Sequence, residues 1–196
     1  MYPFSKKPYC PPKEGCPRSK TIFCPVRPVD QVPQPNNVTP YANQFTVWEH
    51  LTLPDGLPDI KELKTVDRIE VCVTAKKVVP TPAVTATDGT VFTGRKLCFE
   101  GYVDQTIQYC DHGGHVYCVD FQFPFSAYII IPDEINGTDP LQIHQNNIII
   151  DTYVECCALT PQCGRNIFKN VVIFAWAKFM FSDNGNGNGN GNGNAG

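Results

Sequence analysis

The chain has 196 residues, and its 16 Lys and Arg against 19 Asp and Glu give a formal net charge of -3. That length allows one ordinary domain with tails, and 42% hydrophobic against 18% charged residues is globular composition. The near-neutral balance leaves no basic field to hold nucleic acid or an anionic membrane, so neither is an expected partner.

The chain begins with a Pro- and Cys-rich stretch. Ten of the 18 prolines fall within residues 1–40, interrupting any helix or central strand, so residues 1–43 read as an extended N-terminal arm. This arm carries Cys10, Cys16 and Cys24 and few apolar residues to pack. It has no apolar secretory h-region, and no stretch of the chain approaches the ~18 consecutive apolar residues of a membrane span. Cysteine enrichment points to an oxidising setting, so the expected product is made in a cytosol and oxidised later.

Residues 44–181 read as one β domain. Within 68–79, Ile69, Val71, Val73, Ala75 and Val79 alternate with Arg68, Glu70, Cys72, Thr74 and Lys76. The same period of two runs through 97–109, with Leu97, Phe99, Val103, Ile107 and Tyr109 on one face, and through 115–125. Such alternation predicts half-buried antiparallel strands, with Asp111–Gly114 as a hairpin turn between two of them. Further strands are predicted at 128–131, 148–159 and 171–181, the last, apolar on both faces, being either a central strand or one set against another subunit. Asp88-Gly89 reads as a turn, and only Asp59–Leu63, after Pro58, could start a short helix. The expected fold is all-β, a single antiparallel sandwich or barrel. Residues 182–196, mostly alternating Asn and Gly, form a low-complexity tail expected to be flexible.

Six cysteines fall in predicted strands. By alternation Cys72, Cys98, Cys110, Cys118 and Cys157 lie on polar faces and Cys156 on the apolar one. Outward thiols in an oxidising setting meet partners on the arm or across a subunit boundary. Cys10, Cys16, Cys24, Cys72, Cys98, Cys110, Cys118 and Cys157 are therefore candidates for intermolecular disulfides. Cys156 and Cys163 are candidates for an intramolecular disulfide or burial. Ten cysteines allow on the order of 945 complete pairings, so spacing leaves the connectivity open.

The one compact constellation of ligand-type residues is Cys110, His112, His115 and Cys118, a set zinc accepts tetrahedrally. Its spacing matches no specific zinc motif, and a solvated hairpin tip is the expected reading, with no metal or other cofactor. No nucleophile elbow, phosphate-cradling loop, CxxC or paired-carboxylate arrangement is present, so no enzymatic activity is expected.

Several stretches together resemble the SPOCS domain, the SipL-like domain of bacterial endospore coat proteins. They are Trp48–Pro54, Leu57–Glu62 with Val66, Lys77–Pro82, Gly94–Val103 and above all Val119–Pro132. The resemblance covers roughly residues 44–181. It implies a β-rich domain, synthesis in the mother cell with exposure on the spore surface after lysis, and an assembly role without catalytic residues. The family's morphogenetic members carry a LysM docking module; the Asn-Gly tail follows the domain here, so docking through such a module is not carried over.

Together these readings predict a structural subunit of a spore-surface fibre, appendage or coat layer. Its partners are copies of itself, joined when the arm of one adds to an open sheet edge of the next and disulfides fix the contact. Other spore coat proteins are further expected partners. The alternative is a coat adaptor that binds without polymerising.

Overall fold

Alternation of apolar and polar residues drives this chain into long antiparallel strands. The computed structural model describes residues 20–23 and 40–181. Its strands are β1 (Ile22–Phe23), β2 (Ala42–Thr52), β3 (Glu62–Thr85), β4 (Val91–Cys110), β5 (Val116–Ile131), β6 (Ile148–Pro161) and β7 (Asn166–Phe179). Two turns of 3-10 helix, Pro140–Gln142 and Gln145–Asn147, lie between β5 and β6. Among the described residues there is no α-helix, and hence none long and apolar enough to cross a membrane.

The strands form two sheets, β1-β6-β7-β2 and β3-β4-β5, antiparallel throughout. The sheets share one core. Leu97, Val103, Ile107 and Ile129 from one meet Leu159, Ile167, Val171 and Ile173 from the other, all fully buried. Phe45 of β2 closes one side of it, with its ring centroid 5.9 Å from that of Phe99 and 5.5 Å from that of Phe125. Of the sandwich or barrel expected from the sequence, the fold is two packed antiparallel sheets, and β7 is interior to its sheet, one of the two places its two-sided apolar character allowed.

Several elements differ from the expectation. β2 was not foreseen, because exposed Trp48 breaks the alternation that Phe45, Val47 and Leu51 otherwise follow. The short helix that Asp59–Leu63 could have started does not form. There the backbone is engaged across the fold, with the Ile60 amide donating to the Gly164 carbonyl at 3.0 Å and the Lys61 amide to Cys110 at 2.9 Å. β5 runs unbroken through Pro124, because it is an edge strand where a missing donor need not cost a ladder bond. The arm also contributes a strand: Ile22 pairs with Leu159 and packs on the core, and Phe23 pairs with Ala158. The rest of the arm and the Asn-Gly tail lie outside the described residues.

Two irregularities decide which way side chains point. A register shift between Val73 and Ala75 turns Ala75 outward and buries Val78 in place of the expected Val79. A second shift, between Val154 and Cys156, reverses the faces of the following residues of β6. An extra residue in one strand inverts the parity of everything after it.

The β4 start is tied to the β5–β6 connection by a two-pronged ion pair. Arg95 Nε and Nη2 donate to the two carboxylate oxygens of Asp139 at 2.9 and 2.8 Å, and Asp139 also accepts from the Leu141 amide at 2.9 Å. The Arg95 hydrogen bond, then the Leu141 amide, hold the Asp139 carboxyl at about 2. A depressed acid contributes stability above its unfolded value near 3.8 and loses it as pH falls through the folded value. Asp139→Asn is therefore expected to melt below wild type at pH 7 and by a much smaller margin at pH 2. Thermal unfolding at both pH values checks this; a constant difference would show the carboxylate charge to be irrelevant.

Candidate functional site

The outward face of the β3-β4-β5 sheet carries the chemistry the sequence pointed to. The described residues include five free thiols, Cys72, Cys98, Cys110, Cys118 and Cys156. Four of them share the strand parity of this one face. Inward residues of β4 are odd-numbered, from Leu97 to Tyr109, so Cys98 and Tyr102 project outward. Cys72 pairs with Tyr102 in the ladder, Cys98 lies between Lys77 and Tyr128, and Cys118 pairs with Gln108.

Their immediate partners are weak. Gln108 Nε2 donates to Cys118 Sγ at 3.8 Å. Cys72 lies opposite Tyr102, and the thiol beside it is the foremost cause that holds the phenol above its ordinary range. Cys72 and Cys118 are exposed and Cys98 is half-buried.

Spacing keeps these thiols from pairing with one another. Tyr102, opposite Cys72, is four residues from Cys98 and six from Gln108, roughly 13 and 20 Å along the strand. A disulfide needs Cα atoms within about 7 Å. The three thiols thus stay available to partners from beyond this sheet.

The other predicted cysteines divide. Cys110 has the outward parity but is buried, its Sγ 4.0 Å from Glu62 Oε2, so it is withdrawn from the exposed set. Cys157 was expected outward and is instead in the core at 1% exposure, while Cys156, expected inward, is half-exposed opposite Val172. The shift between Val154 and Cys156 is the cause of both reversals. Cys157 cannot reach a second chain from there. Cys163 lies in the β6–β7 turn, where its carbonyl accepts from Asn166. Cys157 and Cys163 each take part in a disulfide, so neither belongs to the free thiols. Cys10, Cys16 and Cys24 lie outside the described residues.

The His/Cys hairpin tip is organised by a carboxylate. Cys110 pairs with Val116, so the turn spans 111–115 and Cys118 is the diagonal neighbour of Cys110. Asp111 accepts from the His115 amide at 2.9 Å, from the Tyr117 hydroxyl at 3.3 Å, and meets His115 Nδ1 at 3.2 Å. Burial pushes the Asp111 carboxyl up, but the His115 amide and ring outweigh it and hold the group below its ordinary range. Gly114, at φ +87°, makes the tight return. Cys110, His112, His115 and Cys118 are not brought together as ligands, and no three His, Cys, Asp or Glu among the described residues could hold a metal ion.

Two inward polar residues were missed. Lys169 is fully buried, and Gln105 is 1% exposed with neither amide atom paired. The signal was present in both cases: each sits at an inward parity position, between Ile167 and Val171 and between Val103 and Ile107. No family profile, characterised protein or solved structure matches the chain.

Proposed function

We propose that this protein is a self-assembling structural subunit of a spore-surface fibre, appendage or coat layer. The observation that carries the assembly reading is the set of three outward thiols on one sheet face, too widely spaced to bond one another. They sit on a fold whose two sheets both end in open edge strands. An open edge accepts an added strand through main-chain hydrogen bonds, and a neighbouring thiol makes the contact permanent. The N-terminal arm, with ten prolines within residues 1–40 and Cys10, Cys16 and Cys24, has the composition for both. The spore setting rests on the resemblance to the SPOCS domain.

Purified protein oxidised in air and boiled without reductant is expected to give a high-mass ladder that collapses on reduction to one band near 21.8 kDa. A single monomer band in both lanes would sink covalent assembly and favour a coat adaptor that binds without polymerising.

A further inference from the structure

The outward face of the β3-β4-β5 sheet is open along its length. Every residue of β5 on that parity, from Val116 to Ile130, is exposed, as are Arg68, Glu70, Cys72 and Lys77 of β3. The charges on this face are sorted along the strands. Lys96 and Lys77 stand at one end, in the rows of Val79 and Ile130 and of Cys98 and Tyr128, with no carboxylate among them. Further along β4, Glu70 lies opposite Asp104, and Arg68 and Asp120 flank Thr106. That end carries three carboxylates against one guanidinium. Thr106 Oγ1 donates to Asp120 Oδ1 at 2.6 Å and Gln122 Nε2 to Asp104 Oδ1 at 3.0 Å, so two of the carboxylates are fixed in place on the face. The two ends are about 26 Å apart along the strands, well beyond a Debye length of ~10 Å, so one chain cannot neutralise its own ends.

We propose that this face docks on the same face of a second copy, related by a two-fold axis that crosses the strands between Glu100 and Tyr102 of β4. The proposal rests on the self-assembly reading and names one contact within it. A face with charge sorted lengthwise is complementary to itself only when turned end for end, and a two-fold axis does that. The position of the axis follows from keeping like charges apart. With the axis between Glu100 and Tyr102, Lys77 of each copy faces Glu70 of the other. Lys96 faces the Thr106–Asp120 pair, Glu100 faces the Tyr102 hydroxyl, and every contact is made twice. An axis moved one residue back sets the two Glu100 side chains against each other. Moved one residue forward, it sets Glu100 against Asp104.

Packed sheets cross at about 30°, an angle that long Lys and Glu side chains span. The rows from Lys96 to Thr106 cover about 33 Å by 14 Å, or roughly 900 Å² over both copies, the size of a weak contact. It covers Cys72 and Cys98. Cys118, opposite Gln108 and beyond the last of these rows, stays open toward further copies.

The test is sedimentation equilibrium of the full chain at about 300 μM in reductant, at ~50 mM and at ~1 M salt. A mass twice the 21.8 kDa of the chain is expected at low salt, and the chain mass at high salt. Lys77→Glu and Glu70→Lys, both at exposed positions, are each expected to weaken association at least about tenfold. The double variant, and an equimolar mixture of the two single variants, should regain it, because each restores opposite charges across the axis. Pulsed alkylation should slow at Cys72 and Cys98 in the dimer and stay unchanged at Cys118. A folded double variant as weak as the single ones, or Cys72 and Cys98 that alkylate equally in dimer and monomer, would overturn the proposal. Wild type that stays monomeric in reductant yet gives the oxidised ladder would overturn this contact and leave self-assembly intact. A salt-sensitive dimer without an oxidised ladder would support the contact and remove covalent assembly.

Discussion

Replacing Lys169 with methionine is expected to raise the melting temperature at pH 7 by roughly 5–10 °C, the equivalent of about 2–4 kcal/mol for a chain of this size. Lys169 projects inward from β7, with Glu49 of β2 and Leu159 of β6 as ladder neighbours. Its Nζ lies over the Phe123 ring and has no hydrogen-bond partner. Burial pushes the amine down from 10.5 to about 6, against a weaker upward pull from Glu49. Between those values the unfolded chain binds a proton that the folded chain does not. Stability therefore rises with pH across this window, by at most about 1.4 kcal/mol per unit, and is level below pH 6, where both states are protonated. Methionine keeps the volume and has nothing to protonate. Urea unfolding from pH 7 to pH 9 should show a positive slope in wild type and a flatter one in Lys169→Met. Equal slopes, or a less stable variant, would mean that the amine is charged and paired in the folded protein.

The opposite result is expected at Gly101. An alanine Cβ there would sit 2.0 Å from the Cys72 carbonyl oxygen, 2.9 Å from its carbon and 3.0 Å from Val73 Cα. All three are β3 backbone atoms, so no side chain can turn aside. Gly101 pairs with Val73 where the β3 ladder slips a register, and the bulged strand leans into the space a side chain would fill. Gly101→Ala must push β3 off β4 near the middle of their ladder. The expected cost is about 3 kcal/mol or more, at the upper end of overpacking effects. The melting temperature should fall by roughly 6–12 °C. A change of a degree or less would show that β3 yields freely at this point. Loss of the register should also move Cys72, so its alkylation rate is expected to change in the same variant.

Much of this was legible beforehand. β4 and β5, and β3 as far as Val73, alternate, so the sequence alone placed Leu97, Phe99, Val103, Ile107 and Tyr109 in the core and Cys72, Cys98 and Cys118 on the opposite face. Asp88-Gly89 and Asp111–Gly114 marked their turns through local backbone chemistry, where a glycine at positive φ is needed. These features depend on neighbours in sequence or on a period of two, and both are written along the chain.

The tertiary structure decided what depends on a count of residues against a partner strand. One extra residue near Val154 sent Cys157 inward and Cys156 outward, and another near Val73 exchanged Val79 for Val78 in the core. A bulge is a property of two strands together, and β6 alone gives no sign of it. Cys110 kept its predicted parity yet lost its exposure beside Glu62, a residue 48 positions away. An open cleft between β2 and β5 arises only when two sheets are stacked, because its walls come from edges that share no hydrogen-bonded ladder. Periodicity fixes the direction of a side chain within a strand; only packing fixes what lies across from it.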